Sequence, residues 1–302
     1  MVKRRQFKLQ VRSGTLILGK RTLIMGVLNV TPDSFSDGGK FFDFSSAVGH
    51  ALAMQREGAD LLDIGAESTR PGAADIGAAE ELRRILPILE ALRGPLKIPI
   101  SIDTRKSTVA EMAIGAGAEI INDVSGLNHD PRLAGVAAKH RVPLILMHMR
   151  GTPETMQKKT FARNAFQDVT EGLRKSIALA RDTGVAKSQI LIDPGIGFGK
   201  SFAQNYELLG ELPEIAKLGY PLLVGTSRKG FLGATLARNG KPAPPESRIW
   251  ATAATVTASI LGGAHIVRVH DVAEMAQVAR TADCLLDPKC GPVDAACHPL
   301  GD

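Results

Sequence analysis

The stretch Thr22-Leu-Ile-Met-Gly-Val-Leu-Asn-Val30 is a short apolar run that carries one polar residue, Asn29, near its end. It is too short for a helix, and similar runs follow at 61–64, 98–102, 119–121, 142–147, 189–192, 221–224 and 264–269. Segments with the apolar spacing of helices lie between them, at 45–57, 78–92, 163–181 and 272–286. Alternating strands and helices predict a parallel sheet, because parallel strands need a crossover connection.

Eight such repeats between residues 22 and 286 match the length of a (β/α)8 TIM barrel, which is the predicted α/β fold. An open doubly wound sheet is the alternative, since the sequence does not show whether the sheet closes. Residues 6–20 predict a β-hairpin at the bottom of the barrel, with Ser13-Gly14 at its turn. We expect residues 1–286 to form a single domain and residues 287–302, with three prolines and no periodicity, to form a poorly ordered tail.

The composition narrows the class of protein. Apolar residues make up 44% and charged residues 23%, as in globular domains. The three cysteines, all beyond residue 283, cannot form a disulfide framework, which fits the cytoplasm. The longest stretch without Asp, Glu, Lys or Arg, residues 249–267, contains Thr, Ser, Gly and His, and it predicts a small-residue helix, a glycine stop and a strand, not a membrane span. Aromatic residues are only 4% and no basic stripe interleaves with them, which argues against nucleic-acid binding.

Polar residues stand at the end of every predicted strand. They are Asn29, Asp63 with Glu67, Asp103, Asn122-Asp123, His148, Asp193, Ser227-Arg-Lys229, and Arg268 with His270. A single carboxylate there could simply cap the next helix, but that does not explain polar groups at all eight ends. The carboxyl ends of barrel strands meet at one rim, where active sites of this fold lie. Alternation predicts that Arg268 and His270, and likewise Ser101 and Asp103, point into the mouth.

The charges are arranged on two sides of this rim. Ser227, Arg228, Lys229, Arg268 and His270 follow the last two strands and predict a phosphate or diphosphate site, although salt bridges to Asp271 or Asp193 are the alternative. Asn29, Asp33 and Asp37 offer oxygen ligands that suit Mg²⁺, and an Asx-turn loop is the alternative there.

The glycine-rich stretch Pro194-Gly-Ile-Gly-Phe-Gly-Lys200-Ser201 fails both nucleotide-binding patterns that it approaches. The P-loop needs Gly where Pro194 stands, and the dinucleotide fingerprint needs Gly where Lys200 stands. We expect these glycines to let the backbone pass close to a flat ligand with Phe198 alongside, unless the stretch is a plain flexible loop.

The strand ends resemble those of a known family. Met25–Gly39 and Asp63–Gly72 look like the first two signatures of the dihydropteroate synthases. The family's further motifs follow in order: Ser101-Ile-Asp-Thr104, Ile121-Asn-Asp123, Met147-His-Met149, Asp193–Lys200, Ser227-Arg-Lys229 and Arg268-Val-His-Asp271. The resemblance covers about residues 22–286. It implies a transferase that joins 6-hydroxymethyl-7,8-dihydropterin diphosphate to 4-aminobenzoate, releases pyrophosphate and uses Mg²⁺, in an enzyme that is typically a homodimer.

The resemblance also implies a role for individual residues. Asn29 would bind Mg²⁺ together with the diphosphate, which Arg268 and His270 would hold. The pterin edge would be bound by Asp103, Asn122, Asp193 and Lys229, of which Asp103, Asp193 and Lys229 are the predicted catalytic residues. Met147 would line the pterin slot. The aminobenzoate pocket would be formed by Ser34, Phe35, Thr69, Arg70, Pro71 and Ser227.

Two alternatives remain within the same barrel superfamily. One is a pterin-dependent methyltransferase, against which the basic residues at 227–229 and 268–270 argue. The other is a catalytically inactive paralogue that binds pterin. The sequence leaves open whether sulfonamide-type mimics of aminobenzoate bind normally.

Overall fold

The fold is a parallel barrel surrounded by helices. The computed structural model describes residues 4–30, 44–67, 75–152, 154–156 and 164–288. Its strands are β1 (Phe7–Val11), β2 (Gly14–Leu18), β3 (Leu23–Asn29), β4 (Leu61–Gly65), β5 (Ile100–Asp103), β6 (Ile120–Asp123), β7 (Leu144–Met147), β8 (Ile190–Asp193), β9 (Leu223–Val224) and β10 (Ile266–Val269). Its α-helices are α1 (Phe44–Arg56), α2 (Ala78–Leu92), α3 (Ser107–Ala116), α4 (Arg132–His140), α5 (Ala165–Asp182), α6 (Phe202–Gly210), α7 (Leu212–Ala216), α8 (Gly230–Thr235), α9 (Ile249–Leu261) and α10 (Val272–Leu286).

The eight parallel strands close on themselves. Their order in the sheet is β8-β7-β6-β5-β4-β3-β10-β9. A parallel bridge between Ile192 and Leu222 joins the two outer strands, and the Ile192 amide donates to the Pro221 carbonyl at 3.0 Å. The predicted TIM barrel is therefore confirmed over the open doubly wound sheet.

Every predicted strand exists, and the differences lie at the ends. The third strand begins at Ile100 instead of residue 98, and the seventh is reduced to Leu223–Val224. Proline precedes both shortened starts, at Pro99 and Pro221, and it has no N–H to donate to a neighbouring strand. The charge-free stretch folds as predicted, with α9 followed by two glycines and β10. Among the described helices, none has the length and apolar character needed to cross a membrane.

The predicted hairpin is present, and it closes the amino-terminal end of the barrel. Strands β1 and β2 pair antiparallel around a turn at Arg12-Ser13, one residue earlier than predicted, because Gly14 is the first residue of β2 and pairs with Val11. Leu9, Val11 and Leu18 from the hairpin form one buried cluster with eight inward-facing strand residues: Leu23, Met25, Leu61, Ile120, Ile145, Leu191, Leu223 and Ile266. The outward faces of the strands pack against the helices in a larger apolar cluster. Of the predicted tail, residues 289–302 lie outside the described part of the chain.

Ionic and hydrogen-bond contacts attach this end to the barrel. The buried carboxylate of Asp283 on α10 pairs with Arg4 and accepts hydrogen bonds from the Thr22 amide at 2.7 Å and the Thr22 hydroxyl at 2.8 Å. At the hairpin turn, the Ser13 amide donates to Glu119 Oε2 at 2.6 Å. The polar groups that are buried here are therefore paired, as a stabilising interior requires.

Candidate active site

The inward face of the strands changes from apolar to polar two residues above the sealed end. In β4, Leu61 faces the apolar cluster and Asp63 is the next inward residue; in β10, the same step leads from Ile266 to Arg268. Asn122 and Asp193 follow inward residues of their own strands in the same way, and the apolar Met147 holds the equivalent position in β7. The predicted inward direction of Arg268 and Asp103 is confirmed, because their side chains contact each other across the mouth.

Arg268 lies at the centre of a buried network on the floor of the mouth. Its Nε donates to Asp63 Oδ2 at 2.6 Å and its Nη2 donates to Asp103 Oδ2 at 2.9 Å. Asn122 Nδ2 donates to the same Asp63 oxygen at 2.9 Å. The salt-bridge alternative named Asp193 as a partner, but the carboxylates that Arg268 contacts are Asp63 and Asp103. The other Asp63 oxygen, Oδ1, is buried with no hydrogen-bond partner among the described residues.

Burial shifts the pKa values of the groups around this floor toward neutrality. Burial raises the pKa of Asp103 to about 7 against the opposing charge of Arg268. It raises the pKa of Asp193 to about 6, although the Gly195 amide donates to this carboxylate at 2.7 Å and Lys229 attracts it. Burial, reinforced by Arg268, lowers the pKa of Lys229 to about 8 against the attraction of Asp193 and Asp103. These ionisable groups lie close together with little water, an arrangement typical of active sites.

The glycine-rich stretch brings its backbone against Lys229. Gly197 has φ +87°, and a Cβ there would lie 3.0 Å from Lys229 Cδ. The Lys229 ammonium lies 3.9 Å from the centroid of the Phe198 ring, within the range of a cation–π interaction. Phe198 also belongs to a small apolar cluster with Val124, Met147, Met149 and Met156. The site therefore has an apolar wall beside its charged floor, which suits a flat heterocycle with a polar edge.

Ser227 and His270 form a pair at the other side of the mouth. The Ser227 hydroxyl oxygen lies 3.0 Å from His270 Nδ1 and accepts from the His270 amide at 3.2 Å. Burial, reinforced by the charges of Arg268, Arg228 and Lys229, lowers the pKa of His270 to about 3. The imidazole is therefore neutral at physiological pH, so it can offer an anion a hydrogen bond but no charge.

Arg228 differs from its neighbour Lys229. Its guanidinium pairs with Asp271, with Nε 3.1 Å from Oδ2 and Nη2 bonded to Oδ1. Its backbone carbonyl accepts from Arg248 Nη1 at 2.7 Å, and its φ of +58° turns the chain sharply. For this residue the salt-bridge alternative is the correct interpretation.

A second ionic cluster, which the sequence analysis missed, lies at the rim beyond β4 and β5. We call it the rim cluster, and its members are Glu67, Asp75, Glu81, Arg105 and Lys106. Lys106 Nζ binds Glu67 and lies 3.1 Å from Asp75 Oδ1 and 3.0 Å from Glu81 Oε2, while Arg105 pairs with Glu67. Burial raises the pKa of Glu81 and opposes the rise that Glu67 and Glu81 cause in the pKa of Lys106. In the sequence Glu67 stands at a strand end, but its connection with Arg105-Lys106 was not predicted, because the members of the cluster come from separate segments of the chain.

Several predicted site residues lie outside the described residues: Asp33, Asp37, Ser34, Phe35, Thr69, Arg70 and Pro71. Asn29 is described; it is half-buried at the end of β3, beside Gly65 of β4. Within the described ranges no group of three or more His, Cys, Asp or Glu side chains could hold a metal. Mg²⁺ commonly keeps waters and shares phosphate oxygens of a substrate, so a single amide oxygen such as that of Asn29 would fit a Mg²⁺ site if bound phosphates supplied the other ligands.

Comparison with known proteins agrees with this geometry. Residues 25–270 match the family described as pterin binding enzyme. The chain is 51% identical over 267 residues to the dihydropteroate synthase of Synechocystis sp., covering 88% of this chain and 91% of that protein. The Clostridium difficile dihydropteroate synthase, solved in the presence of pteroic acid, is 44% identical with a TM-score of 0.82, over 89% of this chain and 98% of that one. The Xanthomonas albilineans enzyme with 4-aminobenzoic acid is 40% identical with a TM-score of 0.86, over 94% and 99%.

The fold, the site and the family match together define a barrel enzyme of the pterin-binding class. All three of these relatives are dihydropteroate synthases, which favours a synthase over the methyltransferase alternative. Within its class, the chain belongs to the dihydropteroate synthase family.

Proposed function

We propose that the protein condenses 6-hydroxymethyl-7,8-dihydropterin diphosphate with 4-aminobenzoate. The bond between the pterin methylene carbon and the diphosphate oxygen breaks, and a carbon–nitrogen bond to the arylamine forms. The amine loses one proton, and the products are 7,8-dihydropteroate and pyrophosphate. The observation that carries this proposal is the floor of the mouth, where Arg268, Asp63, Asp103 and Asn122 form one buried network beside Asp193 and Lys229.

The pterin would lie between this floor and the apolar wall. A pterin edge carries both donors and acceptors, so it can be bound by the carboxylates of Asp103 and Asp193, the amide of Asn122 and the ammonium of Lys229. Phe198 and Met147 would cover its faces from the apolar cluster. A site built on buried polar groups rejects analogues that cannot satisfy them, because each unpaired group costs free energy.

The diphosphate would lie toward Asn29, His270 and the free N–H groups of Arg268. A guanidinium has five N–H donors, and the two contacts to Asp63 and Asp103 leave others to bind an anion. Mg²⁺, held by Asn29 with the diphosphate, would supply positive charge to the departing group. Neutral His270 would add a directional hydrogen bond. Together these groups favour departure of the diphosphate because they stabilise the charge that grows on it.

The chemistry needs no strong base. Departure of the diphosphate can run ahead of amine attack, because the electron-rich ring stabilises a cation at the methylene and the buried carboxylates of Asp103 and Asp193 favour positive charge nearby. An uncharged arylamine is already a nucleophile. Water competes with it, so we expect the segments that hold Ser34, Phe35, Thr69, Arg70 and Pro71 to shield the site and, with Ser227, to bind the aminobenzoate.

The test is pyrophosphate release by the purified protein. We expect release only when the pterin diphosphate, 4-aminobenzoate and Mg²⁺ are all present, with 7,8-dihydropteroate formed in equal amount. Omitting each component in turn is the control. Folded protein that releases nothing with all three present would overturn the proposal and favour an inactive pterin-binding paralogue.

The proposal extends to assembly and location. We propose a homodimer that works in the cytoplasm, as the family resemblance implies. The exposed apolar side chains of Trp250 and Phe202 are the kind of surface that a second copy covers. Light scattering should give twice the chain mass of 32.1 kDa. A mass of one chain at working concentration would contradict the dimer.

A further inference from the structure

Lys200 is a buried cation whose three donors all have acceptors. Its side chain is 3% exposed. Its Nζ lies 3.0 Å from the His148 carbonyl oxygen, 3.1 Å from the Phe198 carbonyl oxygen and 3.0 Å from His148 Nδ1. An ammonium group has three N–H bonds and no acceptor, so these contacts use it completely. His148 must then accept at Nδ1 and carry its proton on Nε2, which faces Asp168 Oδ2 at 3.3 Å.

These contacts join two loops of the rim. His148 follows β7, and Phe198 lies in the stretch between β8 and α6. The two backbones touch, since a Cβ on Gly195, whose φ is +66°, would lie 1.9 Å from the His148 carbonyl oxygen. Gly199, with φ +65°, would likewise place a Cβ 2.5 Å from the Arg150 carbonyl oxygen. The ammonium of Lys200 therefore supplies the polar contacts between these two loops, whose backbones are otherwise held by close packing.

The stretch that Lys200 fastens carries groups of the candidate active site. The Gly195 amide donates to Asp193 Oδ1 at 2.7 Å and so orients that carboxylate. The Phe198 ring lies under the ammonium of Lys229. On the other side of the junction, Met147 directly precedes His148 and pairs in register with Asp193. Displacing this stretch would move both the floor and the wall of the slot.

We infer that Lys200 is a positioning residue for the pterin slot: its ammonium fastens the 194–199 stretch to the loop after β7 and thereby holds Asp193, Phe198 and Lys229 in place. This inference rests on the proposed function. Lys200 does not contact the substrate, because its three donors point to the protein. Burial lowers the pKa of Lys200 to about 7, so the role rests on its N–H donors and not on a full charge. An apolar side chain of similar size would fill the volume but leave the His148 and Phe198 carbonyls and a ring nitrogen unpaired.

The experiment compares the two substrates. Lys200→Met should raise KM for the pterin diphosphate more than about tenfold, the size expected when buried acceptors lose their donor. KM for 4-aminobenzoate, measured at saturating pterin, should stay within about threefold of the wild type. Lys217→Met is the matched control, because Lys217 is an exposed lysine at the carboxyl end of α7 that pairs with Glu214, and it should change neither constant.

Rescue separates the effect of the lost hydrogen-bond donors from the effect of the lost volume. In Lys200→Ala, added propylammonium can occupy the space of the missing chain and restore three donors, while 1-propanol offers one. We expect propylammonium to lower the pterin KM of this variant by at least about threefold and the alcohol to leave it unchanged. If Lys200→Met does not fold, Lys200→Arg replaces it. This variant keeps the charge but not the tetrahedral arrangement of donors, so we again expect a larger rise in KM for the pterin diphosphate than for 4-aminobenzoate.

Equal changes in both KM values, or rescue by the alcohol as much as by the ammonium ion, would overturn the inference. Calorimetric binding of 6-hydroxymethylpterin to wild type and to Lys200→Met provides an arm that needs no turnover. If the wild type releases no pyrophosphate, the proposed function fails, yet weaker pterin binding by the variant still supports the role of Lys200. Unchanged pterin affinity rejects it whatever the turnover.

Discussion

The two ends of the barrel interior are built from the same strands and differ completely in chemistry. At the sealed end, Leu61 and Ile266 lie among aliphatic side chains under the hairpin. Two residues further along the same strands, Asp63 and Arg268 lie in a charged network. Asp63 is as fully buried as Leu61 and Ile266, and the Arg268 side chain is 19% exposed, so exposure alone does not distinguish the two levels. What differs is the effect of burial on stability. Burying the aliphatic side chains stabilises the folded protein, whereas burying the charged groups destabilises it.

That difference indicates where stability and function are located. The sealed end buries apolar area, and its polar groups are paired. The mouth buries carboxylates whose pKa values are raised and leaves Asp63 Oδ1 and Ser101 Oγ without partners among the described residues. A ligand that brings donors and acceptors would recover part of that cost. Substitutions at the two ends should therefore separate effects on folding from effects on turnover.

The largest effect is expected at Arg268, because a substitution there should reduce both stability and turnover. Arg268→Met leaves Asp63 and Asp103 buried without their cation, so the free energy of unfolding should fall by about 3–5 kcal/mol. Turnover should fall more than about a hundredfold, since transition-state charge also loses its donor. Urea unfolding and pyrophosphate release measure the two. Arg83→Met, at an exposed ion pair with Glu80, is the control; a stability loss no larger than that of the control would refute the assignment.

The sealed end should respond in stability alone. Leu18→Ala removes a fully buried side chain from the cluster under the barrel, and we expect a loss of about 2–4 kcal/mol. Turnover per folded molecule should stay within about twofold of the wild type. Ile17 precedes it on the same strand and is 40% exposed, so Ile17→Ala is the matched control. A change in pterin KM in Leu18→Ala would show that the two ends are coupled.

The next largest difference in turnover is expected between variants of two adjacent residues at the mouth, Lys229 and Arg228. Lys229→Ala should cut turnover by more than about tenfold while the fold stays intact, because it removes a buried cation beside Asp193 and Asp103. Arg228→Gln breaks only the pair with Asp271 at the edge, and turnover should change by less than about threefold. Steady-state kinetics with circular dichroism checks both. Equal losses of turnover in the two variants would show that Arg228 also contributes to the active site.

The smallest expected effect is a pH dependence of stability that arises from Asp193 at the mouth. The folded pKa of Asp193 lies above its usual range, so between about pH 4 and about pH 7 the folded state binds more protons than the unfolded state. Its contribution to stability is therefore present at low pH and lost as the pH rises through that interval. The difference in unfolding free energy between wild type and Asp193→Asn should fall by about 1 kcal/mol or more over this range. A flat difference would contradict the raised pKa.

Most of the fold could be predicted from the sequence, because a short apolar run with a polar end marks each strand. Alternation along single strands also predicted that Arg268 and Asp103 point inward. The choice of partners could not be predicted, since the contacts of Arg268 with Asp63 and Asp103 exist only once the sheet closes. Arg228 and Lys229 are adjacent basic residues, and only the left-handed turn at Arg228 sends them to different partners. The glycine-rich stretch that leads into Lys200 fits neither nucleotide-binding pattern, and nothing local showed that the acceptors of Lys200 include a carbonyl 52 residues away.

The rim cluster has a consequence for how this scaffold can change. One ammonium group, that of Lys106, contacts both Glu67 and Asp75, so these two residues lie close together in the fold. The entropy of closing the intervening segment grows only slowly with its length. Residues inserted between these two anchors would therefore cost little closure entropy, while the ion pairs of Lys106 keep Glu67 and Asp75 in place.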